Sequence, residues 1–360
     1  MDKRKTHVYV GMSGGVDSSV TAALLKQWGY YVTGVYMKNW TTDLPGFTCP
    51  WADDLADAKR VAVQLDIPFK VFDFQKEYKQ QVVDYMIAEY RAGRTPNPDI
   101  MCNQEIKFDL FLKTALKDGA DMIATGHYAR IGHWVAGGSR QIGLLAGLDK
   151  NKDQSYFLYR VTSEALSKTL LPVGELTKPQ VRDQARKLGL ATADKKDSQG
   201  ICFVGKIGIR EFLKNYVQTT SGDIIDKRTG KVMGQHDGAI YYTIGQRHGL
   251  NVGGGLPFYV VGKDMEKNIV YITTDLNDEN LWRSDLTLGN LHWINETPTV
   301  GRSYEVRTRY RSALVSCCVQ GLQDGEMQLS LTDPERALTA GQSAVLYDGD
   351  RVVGGGIVVR

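Results

Sequence analysis

The sequence predicts an α/β fold, with a parallel-sheet domain first, a small central α+β domain next and antiparallel β-structure to the C-terminus. Three observations carry that prediction. Before residue 205, apolar runs of strand length alternate with stretches of helical spacing, the pattern of βαβ units. The first strand-helix junction holds two adjacent glycines. Beyond residue 205 the runs become short and β-prone and are separated by Gly, Asp and Asn, as in small antiparallel units.

Taken in order, Val8-Tyr9-Val10 is the first strand, and Asp17, Ser18 and Ser19 open a helix that continues through Leu25. Tyr31 to Met37 reads as a second strand, and Ala52 to Leu65 has helical spacing at Leu55, Ala58, Val61, Ala62 and Leu65. Phe69 to Phe74 is a third strand, followed by helices from Glu77 to about Ala92 and from Glu105 to Lys117, and by the strand Met122 to Thr125. A parallel sheet covered on both faces binds ligands at the carboxyl ends of its strands, which puts Met37 and Gly126 beside the glycine pair. From Arg130 to Leu148 two apolar runs around Gly137-Gly138 predict a hairpin, Pro179 to Leu188 a short helix ended by Gly189, and Ile209 to Val217 another helix. The expected domains are 1–205, 206–280 and 281–360.

Composition narrows the class. A chain of 360 residues exceeds one average domain, and 42% apolar with 24% charged residues is ordinary for a soluble globular protein. No apolar run approaches the roughly eighteen residues needed to span a bilayer, and Met1 to Lys5 leads into a strand of only a few apolar residues, so a cytoplasmic protein is expected. A net charge of +3 is compatible with nucleic acid without arguing for it. The five cysteines, Cys49, Cys102, Cys202, Cys317 and Cys318, include no CxxC pair, so no metal site is expected. Cys317 and Cys318 fall in an apolar strand pattern and read as packing residues.

The glycine pair belongs to Gly11-Met12-Ser13-Gly14-Gly15-Val16-Asp17-Ser18-Ser19. Glycines let the backbone approach a ligand closely, and the free N–H groups and positive end of the following helix favour an anion. The stretch therefore reads as a phosphate cradle, the plain alternative being a turn that only closes a strand-helix pair. It has neither the spacing and lysine of GxxxxGK[ST] nor the pattern GxGxxG.

Two further segments carry thiols. Gly93 to Asn103 holds Pro96 and Pro98, which predict a loop delivering Asp99 and Cys102 together. There Asp99 is placed to accept a proton, and the helix start at Glu105 to lower the thiol pKa; taken alone, the segment reads rather as a Pro-rich turn with an inert buried Cys. Lys195 to Gly205 places Cys202 on a Gly-flanked, lysine-preceded loop, where positive charge favours the thiolate. A cytoplasmic setting favours a transient catalytic pairing of the two cysteines over a structural disulfide. Arg307, Arg309 and Arg311 recur with period two on an apparent strand, which would put them on one face to track phosphates or simply to meet solvent.

The cradle resembles the SGGxDS loop of the ATP pyrophosphatases, the PP-loop superfamily, which transfer AMP to a substrate oxygen and release pyrophosphate. Together with GRTPNPDIMCN, ATGHYAR, KDQSYFLY, KKDSQGICFVG, YTIGQRHGL and RTRYRS, it makes the whole chain similar to the bacterial tRNA-specific 2-thiouridylases. The resemblance implies a PP-loop nucleotide-binding domain, a small central domain and a C-terminal antiparallel β-barrel. It implies ATP, with Mg²⁺ on the phosphates, and sulfur supplied as a protein persulfide by a sulfur-relay protein or cysteine desulfurase. The implied substrate is tRNA with a wobble uridine, the Glu, Gln and Lys isoacceptors.

The same resemblance distributes roles over matching positions. Gly11, Met12, Ser13, Gly14, Gly15, Val16, Asp17, Ser18, Met37 and Gly126 would hold ATP, with Met37 on the adenine and Asp17 helping to hold metal-bound phosphates. Asn97, Pro98 and Asp99 would meet the target base, and His127, Lys152, Asp153, Gln154, Arg309, Tyr310 and Gln342 the tRNA. Cys202 would carry the persulfide and Cys102 act as nucleophile, the two joined by a transient disulfide. For His127 a capped loop histidine, and for Lys152 to Gln154 a solvated turn, are the plain alternatives. Competing functions are an ATP pyrophosphatase that admits a nitrogen nucleophile, which would need no cysteines, and a tRNA-binding module without catalysis, against which the intact cradle argues.

Overall fold

Strand β1 (His7–Gly11) is the centre of a five-stranded sheet in which β3 (Phe69–Asp73), β2 (Tyr31–Lys38), β1, β4 (Met122–Ala124) and β7 (Thr169–Leu170) lie side by side, all parallel. This is a computed structural model, and it describes residues 3–43, 45, 48–136, 138–197, 208–253 and 255–359. Both faces of the sheet are covered, as a parallel sheet requires. Tyr9 points into one apolar cluster with Val35, Phe111 and Ile123, while its neighbours Val8 and Val10 join Val32, Val20 and Ala124 on the other face. Helix α1 (Val16–Gln27) follows β1 and α2 (Trp51–Gln64) follows β2, as the spacing predicts.

Two longer helices cover the opposite face. Helix α3 runs through Gln75–Tyr78, Lys79–Asp84 and Tyr85–Arg91, the middle stretch widened to i→i+5 bonding. Helix α4 runs through Pro98–Met101, Cys102–Leu110 and Phe111–Lys117, again with a widened middle. It begins at Pro98, not at Glu105, so the expected loop around Asp99 and Cys102 is helix. Proline forbids a helix interior but suits the first helical position, and Asn97 caps it by accepting from the Asp99 N–H at 3.2 Å.

The hairpin of β5 (Ala129–Ala136) and β6 (Ser139–Ala146) forms as expected but joins another sheet, pairing Leu145 with Arg351 of β17 (Arg351–Val358). There β12 (Trp282–Trp293), β15 (Glu326–Arg336), β14 (Val315–Gln323), β13 (Ser303–Arg307), β16 (Ser343–Asp348) and β17 form a ring that β12–β17 pairing closes into a six-stranded antiparallel barrel. Between the two lies a four-stranded sheet ordered β10 (Tyr259–Asp264), β11 (Ile269–Thr273), β8 (Gly222–Asp226), β9 (Val232–His236). The three sheets meet at one short segment ahead of α4. Thr95 N–H donates to the Ala340 carbonyl at 2.9 Å, and the Thr95 and Thr243 hydroxyls are 3.2 Å apart.

Candidate active site

The cradle is a backbone object. Gly14 has φ +73, and a Cβ there would lie 2.3 Å from the Asp54 carbonyl oxygen, so only glycine fits. Gly15 differs. It is the extended N-cap of α1, and a Cβ on it would meet nothing closer than Ser13 Oγ at 3.5 Å. The chain itself does not crowd Gly15, so its missing side chain leaves open space at the turn. Having no side chain, it leaves the first N–H groups of α1 uncapped and available to an anion. Ser18 Oγ accepts from Ser13 N–H at 3.2 Å and donates to the Gly15 carbonyl at 3.1 Å, which fixes the turn. Gly126 closes one wall, since a Cβ there would be 2.8 Å from Ser18 N, and the Met37 methyl closes another, 2.9 Å from the Cβ position of Gly11.

Asp17 does not stand free for a metal. Both its carboxylate oxygens accept from Lys178 Nζ, at 2.7 and 2.8 Å, and Tyr128 OH donates to it at 2.7 Å. Lys178, the first residue of α5 (Lys178–Lys187), is almost buried and spends its third donor on Asp197 at 2.8 Å. Asp197 also binds Lys152 and Arg182, each at 2.7 Å. Burial pushes its carboxyl up, but Lys152 and Lys178 outweigh that and hold it down to about 2. Two residues earlier, Lys195 binds Asp54 and Asp57, each at 2.7 Å. Among the described residues no three His, Cys, Asp or Glu side chains gather to hold a metal ion. The positive groups at the cradle are Lys178, paired with Asp17 and Asp197, and the uncapped start of α1.

The first thiol is set in α4. Cys102 is 5% exposed, and burial pushes its thiol above the ordinary value, with Lys107 and a hydrogen bond from Tyr78 pulling the other way. The expected depression by a helix start is thus reversed, because Cys102 lies inside the helix and away from water. Burial likewise raises the Asp99 carboxyl. Lys107 also acts on His127, whose pKa burial drives well below the usual value. The His127 ring is buried 5.7 Å from Phe108 of α4, with its Nδ1 2.7 Å from Thr125 Oγ1. Cys202 lies outside the described residues. The last described residue before it is Asp197, five positions earlier in the sequence.

The remaining candidates gather where barrel and hairpin meet the first sheet. Asp153 is 5% exposed, accepts from Arg307 at 3.0 Å and from Ser155 Oγ at 3.1 Å. Gln154 Oε1 accepts from Tyr128 N–H at 3.0 Å. Strand β13 ends at Arg307, and Arg311 has φ +64, so the three arginines do not share a strand face. Arg309 donates to the Arg336 and Ala337 carbonyls, with its Nε buried and unpaired, as is Gln342 Oε1. Lys178, Tyr128 and Lys107 were missed. Lys178 and Asp17 are 161 positions apart, and no local pattern links them.

A glycine turn between a central strand and a helix, at the carboxyl edge of a five-stranded parallel sheet, is the geometry of an α/β ligand-binding domain. Family models described as a tRNA methyl transferase HUP domain, a tRNA methyl transferase PRC-barrel domain and an aminomethyltransferase beta-barrel domain match residues 6–206, 210–274 and 283–358. A tRNA-specific 2-thiouridylase of Bacillus subtilis (strain 168) is 47% identical over 364 residues, covering 99% of this chain and 96% of that protein. One of Bacillus mycoides (strain KBAB4) is 46% identical over 358 residues, covering 99% and 95%. The chain belongs to the tRNA-specific 2-thiouridylases, the tRNA-uridine 2-sulfurtransferases. It is a tRNA-thiolating enzyme. No helix among the described residues is long and apolar enough to cross a membrane.

Proposed function

We propose that the chain thiolates the wobble uridine of tRNA in two stages. Uracil O2 attacks the α-phosphorus of ATP held in the cradle, and pyrophosphate leaves. That converts a poor leaving group into AMP. The terminal sulfur of a persulfide on Cys202 then attacks C2, and AMP departs with the former O2. The Cys102 thiolate attacks the Cys202 sulfur, freeing the thiouridine sulfur and forming a Cys102–Cys202 disulfide, which a thiol reductant must reopen with two electrons. Asn97, Pro98 and Asp99 hold the target base, with Asp99 moving the proton. His127, Lys152, Asp153, Gln154, Arg309, Tyr310 and Gln342 serve the tRNA, His127 and Asp153 by positioning their neighbours.

The observation that carries this reading is the tie between the two halves of the chemistry: Lys178 joins Asp17 of the cradle to Asp197, five positions before Cys202. Magnesium would enter with the nucleotide, Asp17 being occupied. The substrates are the Glu, Gln and Lys isoacceptors, the sulfur comes from a relay protein or desulfurase, and the work is done in the cytoplasm on a chain divided as 1–205, 206–280 and 281–360. The test is the product pair formed with tRNA and a persulfide donor. AMP and pyrophosphate in equal amounts with thiouridine support the reading, and ADP with phosphate contradicts it.

A further inference from the structure

Phe157, Tyr310 and Arg311 form a row of three flat groups that starts next to the helix carrying Cys102; Tyr310 is already assigned to the tRNA, while Phe157 and Arg311 have no task in the reaction as proposed. Phe157 lies in the helical turn Ser155–Leu158, and its carbonyl accepts from Asn103 Nδ2 at 3.1 Å, on the residue next to Cys102. Its ring meets Tyr310 with centroids 4.4 Å apart, and the Arg311 guanidinium lies 5.0 Å from the Tyr310 centroid. Phe157 and Tyr310 are half-buried and Arg311 is exposed.

The ladder is held from behind. Tyr156 is buried, meets Phe157 edge-on at 5.4 Å and 83°, and donates its hydroxyl to the Ser343 carbonyl at 2.8 Å. The half-exposed rings therefore cannot sink further into the core. Arg311 keeps its place with φ +64, a region arginine rarely adopts, and makes no ion pair among the described residues. Nearby, Arg309 Nε is buried without a hydrogen-bond partner. An apolar partner would bury the Arg311 charge unpaired, whereas a nucleotide offers a π-face for the rings and a phosphate for the guanidinium.

We propose that Phe157, Tyr310 and Arg311 form a stacking site for an unstacked nucleobase next to the thiolated uridine, with Arg311 on its phosphate. This rests on the wobble-uridine reading. Bases in single-stranded loops are commonly held by such aromatic and guanidinium planes. A flanking base stacked here would hold the loop open and fix the target uridine against the Asn97–Asp99 end of α4.

The test uses anticodon stem-loops carrying 2-aminopurine on one or the other side of the target uridine, with fluorescence, affinity and thiouridine formation read on the same samples. Wild-type protein is expected to quench one of the two probes on binding. Phe157→Leu keeps apolar volume without a π-face, and Tyr310→Leu does the same one step out. Each should lose the quench and weaken binding roughly tenfold, with the salt slope unchanged. Arg311→Gln should keep the quench and reduce the salt slope by about one phosphate contact. A wild type that forms thiouridine yet quenches neither probe, or a Phe157→Leu that quenches like wild type, overturns the stacking site. A wild type that forms no thiouridine overturns the proposed function and the stacking site with it.

Discussion

The cradle and the thiol helix stand at opposite ends of readiness. The cradle is complete as it is: a left-handed glycine, an uncapped helix end, two close walls and a lysine held by carboxylates. The thiol of Cys102 is buried, and burial raises its pKa above the ordinary thiol value. The proposed nucleotide cradle is thus built from backbone, whereas the proposed sulfur chemistry requires that Cys102 be reached from outside the core.

The largest effect should follow from Lys178→Met, which would leave Asp17 and Asp197 facing each other without their shared cation. Breaking a buried pair from one side costs about 3–5 kcal/mol, reduced here because both carboxylates keep other partners and some water. A drop in melting temperature together with lost ATP binding is expected; unchanged stability would mean the network is loose. Next comes Gly14→Ala, where the clash with Asp54 and the positive φ should cost about 1–3 kcal/mol. Gly15→Ala sharpens the contrast, since it should change stability by no more than about 0.5 kcal/mol yet weaken ATP binding by filling the ligand side. Equal melting shifts for the two alanine variants would break the distinction.

A smaller and slower effect belongs to the thiol. Alkylation of Cys102 in the free protein should be slow at neutral pH and climb only at a pH above that of an ordinary exposed thiol, because burial disfavours the thiolate. ATP with tRNA should speed it at fixed pH. Rapid, pH-independent labelling of the free protein would show that the burial of α4 does not protect the thiol.

Much of the fold was legible because β1, α1, β2, α2 and β3 each repeat at their own period, and the cradle because its glycines sit at one junction. Cys102 misled because Pro98 both ends and begins helices; the Asn97 cap was the available signal, and it pointed to a start. The arginine stripe misled because its period of two ran past the end of β13, where Arg311 turns to positive φ. Lys178 and Asp197 were invisible as a pair because tertiary folding alone brings them to Asp17. Nothing in the hairpin's own sequence says that β6 would pair with β17 and join the barrel.

The central claim is that the two unequal halves are joined in one turnover through Cys102 and Cys202. Its most direct test is to stop single-turnover reactions of persulfide-loaded enzyme, ATP and tRNA with an alkylating agent and map the disulfides by mass spectrometry. The account predicts a Cys102–Cys202 link appearing in step with thiouridine, and a Cys102→Ser enzyme that still loads sulfur on Cys202 but makes no thiouridine. Thiouridine formed by wild type without that link, or by Cys102→Ser at full rate, would contradict it.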